Sequence, residues 1–117
     1  MTHTIRVIDD EEDLRAMMRE VLQRAGYDVA TAGDGAEGLL ALSGITRPCL
    51  IILDLLMPGV NGWDFYAEIR SRPTSAQIPV IVHTSSPSEA SAGVDSVLQK
   101  PTSMSKLLSA VQHNCRL

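Results

Sequence analysis

Acidic, hydroxyl and amine side chains follow several apolar segments of this sequence, and these are the residue types that could carry out chemistry. The candidates are Asp9, Asp10, Asp54, Thr84 and Lys100. Two carboxylates about 5 Å apart repel each other by roughly 3 kcal/mol at an effective dielectric of about 20. Mg²⁺ would offset this repulsion, because it binds oxygen ligands and needs few carboxylates. A lysine and a hydroxyl beside it would hold the oxygens of a transferred phosphoryl group. If the fold gathers these residues, the chemistry they indicate is phosphoryl transfer.

Apolar segments with the pattern of strands alternate with helical patterns along the chain. Strands are predicted at residues 5–8, 27–31, 49–53, 78–83 and 96–99. A helix is predicted after each strand, from apolar residues spaced three and four apart or from capping and stop signals. These helices are expected near residues 14–25, 34–43, 62–72, 86–92 and 104–111. The fourth is short, about two turns, because Gly93 stops it.

Repeated strand-helix units predict a parallel sheet with helices on both faces. Residues 49–53 are apolar without interruption, as expected of a central strand covered on both sides. Such sheets bind ligands beyond the carboxyl ends of their strands, where all the candidates lie. Taken singly, most candidates could also be a helix cap, a turn residue or a solvated charge. Asp54 fits these alternatives least, because it ends the most buried strand.

Composition and charge narrow the class of protein further. The 117 residues suit one domain, residues 1–117, and 44% hydrophobic with 21% charged residues is typical of a globular protein. The net charge of −4 disfavours direct binding to nucleic acid. The sequence has no apolar run long enough to insert into a membrane and does not begin like a secretory signal, so a cytoplasmic location is expected.

Cys49 and Cys115 have no metal-ligand or disulfide spacing, and both are predicted to be reduced.

Four short motifs together resemble the receiver domain of two-component response regulators. They are Asp9-Asp10, the segment Leu53-Asp54-Leu55-Leu56-Met57-Pro58-Gly59, Thr84-Ser85 and Lys100-Pro101. The resemblance covers nearly the whole chain in the family's order and spacing. It implies an α/β fold of the flavodoxin-like, doubly wound type, with a five-stranded parallel sheet in the order 2-1-3-4-5 and five helices, the fourth shortened.

The resemblance also implies a function. Asp54 would accept a phosphoryl group from a sensor histidine kinase or phosphotransfer protein, in a Mg²⁺-dependent reaction. Thr84 and Lys100 would contact the phosphoryl group, and the domain would then change conformation to signal to a downstream protein. Beyond transfer to itself and its own dephosphorylation, no enzyme activity is expected.

The same resemblance implies a ligand set for the metal. Asp10, Asp54 and the backbone carbonyl of Leu56 would bind Mg²⁺, with Asp9 acting mainly through water. The family also suggests a cis peptide bond between Lys100 and Pro101.

Several positions depart from the family's pattern. Val97 stands where an aromatic switch residue is common, three positions before Lys100. Leu56 and Ser86 occupy positions that influence dephosphorylation in the family. His83, beside Thr84, is expected to have a packing or surface role.

Two alternative functions remain at this stage. A degenerate receiver would act as a phosphorylation-independent protein-interaction module, although the intact set of acids, hydroxyl and lysine argues against it. A small hydrolase with an aspartate nucleophile, similar to haloacid dehalogenase-like phosphatases, would need a second Asp two residues after the nucleophile, where this chain has Leu56.

Overall fold

A computed structural model of the chain describes residues 3–33, 48–54, 62–73, 75–85 and 96–115. Its strands are β1 (Thr4–Ile8), β2 (Asp28–Ala32), β3 (Leu50–Leu53), β4 (Val80–Thr84) and β5 (Ser96–Gln99). Its helices within those ranges are α1 (Glu12–Arg24), α2 (Gly62–Ser71) and α3 (Met104–Asn114). The predicted second and fourth helices lie outside the described residues, so the shortening of the fourth stays a prediction.

The strands form one parallel sheet in the order β2-β1-β3-β4-β5, which confirms the predicted fold class and strand order. All residues of β3 and β4 are buried. Their side chains alternate between two apolar clusters because successive residues of a strand point to opposite faces. Leu50 and Ile52 join the cluster beneath α1 and α3, whereas Ile51 and Leu53 join the one beneath α2. The uninterrupted apolar run of β3 thus follows from its coverage by helices on both sides.

A glycine turn at the end of α1 directs the chain into the next strand. Gly26 adopts a positive φ of 102°, which a residue without a Cβ tolerates. The amide of Gly26 donates to the carbonyl of Gln23, and that of Tyr27 donates to the carbonyl of Leu22, both at 3.1 Å. These two bonds form a Schellman motif, which satisfies the last carbonyls of α1 and turns the chain into β2.

A disulfide joins Cys49 to Cys115, so the prediction that both cysteines are reduced is wrong. The two residues are 66 positions apart in sequence, and their Cα atoms lie 5.8 Å apart. The bond ties the residue preceding β3 to the residue that follows α3. The Tyr27 hydroxyl donates to the Cys115 carbonyl at 2.6 Å, which fixes the same end of α3 to the segment before β2. None of the helices in the described ranges has the length and apolar character needed to cross a membrane.

Candidate functional site

The carboxyl ends of four neighbouring strands bring the predicted residues to one edge of the sheet. Asp9 and Asp10 follow β1, Asp54 follows β3, Thr84 is the last residue of β4, and Lys100 follows β5. Backbone hydrogen bonds continue the strand pairing past these ends. The amide of Asp54 donates to the Ile8 carbonyl at 2.9 Å, and the amide of Lys100 donates to the Thr84 carbonyl at 2.8 Å. The Cα positions of Asp54 and Lys100 are therefore fixed by backbone pairing of the sheet and not by the packing of loops.

Three of these residues form an acidic cluster. Asp9, Asp10 and Asp54 each place one carboxylate oxygen within 4.8 Å of the other two. Asp9 and Asp54 are only 1% and 4% exposed, whereas Asp10 lies at the surface. Oxygen donors gathered in this way fit a hard divalent cation such as Mg²⁺, which binds through few carboxylates and keeps several waters.

Asp9 also holds the chain just before α1 while it takes part in the cluster, although it is not the N-cap of this helix, which is Glu11. Its Oδ1 accepts a hydrogen bond from the Glu11 amide at 2.9 Å, as in an Asx turn. Arg15 donates to the backbone carbonyl of Asp9 at 2.6 Å. The guanidinium of Arg15 also lies over Gly33, where an added Cβ would approach its Nη1 to 3.3 Å. The sequence carries no signal for this contact, because it depends on β1 and β2 being neighbours.

Lys100 is the positive charge of the cluster. Its Nζ lies 2.9 Å from Asp9 Oδ2, 3.3 Å from Asp54 Oδ2 and 3.4 Å from Glu11 Oε1. Burial by itself would lower the pKa of Lys100, but the hydrogen bond to Asp9 and the charges of the three acids outweigh it, so this pKa is raised. Lys100 is therefore a half-buried, charged group with fixed partners, and not a solvated lysine.

The remaining predicted positions have different outcomes. Thr84 is fully buried at the end of β4. Leu56 and Ser86 lie outside the described residues, so their roles stay predictions. The cis peptide bond between Lys100 and Pro101 is present. Val97 has 37% of its surface exposed, at the place where the resemblance implies an aromatic switch residue.

An open cavity of about 550 Å³ extends from the acidic cluster across the end of the sheet. One part of its wall is polar and contains Asp10, Asp54 and Lys100. The other part is apolar and comes from α1, the turn after β5 and the start of α3, through Leu14, Met17, Pro101 and Met104. His83, for which a packing or surface role was expected, also lines this wall and is only 1% exposed, so its position agrees with packing.

The fold and this edge define a doubly wound α/β protein with an acidic, lysine-containing pocket at the carboxyl ends of its strands. The chain belongs to the response regulator receiver domain family, whose family model matches residues 5–112. The predicted family is thereby confirmed, and receiver domains are signalling phosphoacceptors.

Individual relatives agree with this assignment. The DNA-binding response regulator MtrA of Mycobacterium tuberculosis is 31% identical over an alignment 122 residues long, which covers 99% of this chain and 52% of MtrA. The chemotaxis response regulator CheY4 of Vibrio cholerae has a TM-score of 0.89 at 30% identity, with 97% of this chain and 98% of CheY4 covered. TrrA of Thermotoga maritima, a response regulator solved with Mg²⁺-BeF, has a TM-score of 0.83 at 32% identity and covers 96% of this chain and 98% of its own. The chain spans about half the length of MtrA.

Proposed function

We propose that this receiver accepts a phosphoryl group on Asp54 from the phosphohistidine of a sensor histidine kinase or phosphotransfer protein, in a Mg²⁺-dependent reaction in the cytoplasm. The observation that carries the proposal is the position of the Asp54 carboxylate. It is nearly buried, lies beside two further acids, and has the Lys100 ammonium 3.3 Å from its Oδ2. A carboxylate held in this way combines a nucleophile with groups that stabilise negative charge.

The transfer step follows from these groups. An Asp54 oxygen forms a bond to phosphorus while the bond from phosphorus to the donor imidazole breaks. The products are an aspartyl phosphate and a histidine that takes up a proton. Lys100 is anchored on Asp9, so its ammonium can turn from Asp54 to a phosphoryl oxygen without leaving the pocket. The hydroxyl of Thr84 would donate to another phosphoryl oxygen.

The metal would be held by the acids of the cluster. Asp10 and Asp54 would bind Mg²⁺ together with the Leu56 backbone carbonyl, and Asp9 would act through water. When bound, Mg²⁺ neutralises charge on the phosphoryl oxygens. Asp10 is the exposed member, so the site opens to solvent on its side.

The apolar wall of the cavity supports docking of the phosphodonor protein. Met17 has 48% of its surface exposed on α1, and Leu14 and Met104 line the cavity beside it. An exposed methionine that adjoins half-buried apolar side chains next to a reactive group indicates a protein-binding surface. An amphipathic helix that carries the phosphohistidine would cover these side chains and present its phosphoryl group to Asp54.

Intact-mass spectrometry after incubation with acetyl phosphate tests the proposal. We expect one phosphoryl adduct in the presence of Mg²⁺, none with a chelator, and none in Asp54→Ala. Asp28→Ala is the matched control, because Asp28 is an exposed acid at the amino end of β2, the opposite end of the sheet. It should be labelled like the wild type. A wild-type protein without the adduct, or an adduct that persists in Asp54→Ala, would overturn the proposal and favour an interaction module that works without phosphorylation.

A further inference from the structure

His83 is a buried polar residue beside the acidic cluster but outside it. On β4, Val80 and Val82 pack beneath α2, and Ile81 packs beneath α1 and α3. Alternation along the strand therefore places His83 on the side of α1 and α3, opposite to Thr84. A 1% exposed imidazole among aliphatic side chains needs a hydrogen-bonding partner.

Thr102 is that partner, and the direction of the hydrogen bond can be assigned. The Thr102 hydroxyl donates its one proton to the Gln99 carbonyl at 2.6 Å. The contact of 3.0 Å between Thr102 Oγ1 and His83 Nε2 must then have the imidazole as the donor. Nδ1 consequently carries the lone pair in the neutral ring. This atom is buried and has no hydrogen-bonding partner among the residues that the structure describes. Burial and the nearby Lys100 charge lower the pKa of His83, which favours this neutral form.

The hydrogen bonds of Thr102 to Gln99 and His83 hold the turn that contains Lys100. Gln99 ends β5, Lys100 and Pro101 follow, and Thr102 closes the turn before α3 begins. The Lys100 amide donates to the Thr84 carbonyl at 2.8 Å. The end of β4 thus holds the turn at two points, by the backbone of Thr84 and by the side chain of His83.

We propose that His83 is a positioning residue that fixes the Lys100 turn through Thr102 and thereby sets the reach of the Lys100 ammonium toward a phosphoryl group on Asp54. The part concerning the phosphoryl group rests on the proposed function. The part concerning the turn rests only on the contacts of His83, Thr102 and Gln99. His83 does not touch the acidic cluster in this scheme and acts on it only through the turn.

The test uses two variants that break the contact and two that retain it. His83→Leu removes the donor, and Thr102→Val removes the hydroxyl at nearly constant volume. His83→Gln retains a donor at about the reach of Nε2, and Thr102→Ser retains the hydroxyl. The probes are beryllofluoride with Mg²⁺, which occupies the phosphoryl position, and Mg²⁺ alone, each titrated calorimetrically.

We expect the two breaking variants to bind beryllofluoride about tenfold more weakly, the loss that one hydrogen bond usually produces. The retaining variants should stay within about twofold of the wild type. All four variants should bind Mg²⁺ alone within about twofold of it, because each keeps the Lys100 charge beside the acids and none changes a metal ligand. The double variant His83→Leu/Thr102→Val should be no weaker than either single variant. Unchanged beryllofluoride affinity in His83→Leu, additive losses in the double variant, or a parallel loss of Mg²⁺ affinity would overturn the proposal.

Amide exchange separates this proposal from the proposed function. It is measured by NMR at the Lys100 amide without metal or beryllofluoride. Both breaking variants should exchange this amide at least about tenfold faster than the wild type, and both retaining variants should not. If the wild type binds no beryllofluoride, the proposed function fails, and the exchange rate still decides whether His83 holds the turn. Equal exchange rates of the Lys100 amide in His83→Leu and in the wild type would refute the proposal that His83 holds the turn.

Discussion

Replacement of Lys100 by methionine should destabilise the protein strongly without a divalent cation and less strongly with one. The ammonium lies 2.9 Å from an Asp9 oxygen and 3.3 Å from an Asp54 oxygen. At an effective dielectric of about 20, each attraction amounts to roughly 5 to 6 kcal/mol, or about 11 kcal/mol together. The oxygens of Asp9, Asp10 and Asp54 within 4.8 Å of one another give three repulsions of roughly 3.5 kcal/mol or more, about 10 kcal/mol in all. One lysine thus approximately balances three acids.

The measurable effect is smaller than these gross terms, because Lys100→Met also removes the desolvation of the ammonium and Asp10 is screened by water. Removal of one partner from a buried ion pair usually costs about 3 to 5 kcal/mol, so we expect a loss of about 3 kcal/mol in the free energy of unfolding in a chelator. Mg²⁺ at ten times its dissociation constant adds about 1.4 kcal/mol by linkage. Since the variant leaves the acids uncompensated, it should bind Mg²⁺ more tightly than the wild type and recover more stability.

Urea denaturation followed by circular dichroism, in chelator and in Mg²⁺, measures both effects. Lys106→Met is the matched control, because Lys106 is an exposed lysine on α3 and its loss should change stability by less than about 0.5 kcal/mol. The charge balance would be refuted if Lys100→Met were as stable as Lys106→Met in chelator, or if Mg²⁺ stabilised Lys100→Met less than the wild type.

Two further predictions concern the face of the sheet beneath α1 and α3. Cys115→Ser should lower the free energy of unfolding by about 4 kcal/mol, the loop-closure term for cysteines 66 residues apart, and a reductant should lower the wild type to the same value in urea denaturation. A wild type unaffected by complete reduction, verified by thiol titration, would contradict this. Burial, and to a smaller extent the Lys100 charge, lower the pKa of His83, so the folded protein favours the neutral imidazole. The stabilisation by neutral His83 is therefore fully present above about pH 6.5, the ordinary pKa of histidine. It is lost as the pH falls toward the folded pKa, at up to about 1.4 kcal/mol per pH unit. The stability difference between the wild type and His83→Gln should therefore shrink on acidification, and parallel stability curves from pH 7.5 to 5 would exclude it.

Much of the fold was predictable because its signals are local. The apolar run of residues 49–53 corresponds to β3 (Leu50–Leu53), and the run of 78–83 corresponds to β4 (Val80–Thr84). The boundaries differ by one or two residues, since apolarity does not show where strand pairing begins. The gathering of the acids and Lys100 was predictable for a topological reason: parallel strands end at the same edge, so residues that follow different strands become neighbours.

The parts that sequence reasoning missed are contacts between distant segments with no local pattern. Cys49 and Cys115 meet only because α3 packs across β3, and nothing in their spacing indicates this. His83 resembles a packing residue, because three apolar residues precede it in the strand. Its partner Thr102 lies 19 positions away, in a turn whose path depends on β4 and β5 being paired.

These missed contacts are related, because both hold α3. The His83–Thr102 bond fixes the turn just before α3, and the Cys49–Cys115 disulfide fixes the residue just after it. With both ends joined to the sheet, a shift of α3 as a rigid body would have to break one of these links. A phosphoryl group can shift the conformation of the protein only through contacts that differ between two states. Among the described residues, Lys100 and Thr84 are placed to make such contacts with a phosphoryl group on Asp54. Val97 has no ring to turn inward. In the proposed function, the side chain of Lys100 therefore moves toward the phosphoryl group while α3 stays in place. If His83 has the proposed positioning role, the His83–Thr102 bond limits how far Lys100 can follow a phosphoryl group on Asp54, and so limits the conformational change that phosphorylation produces.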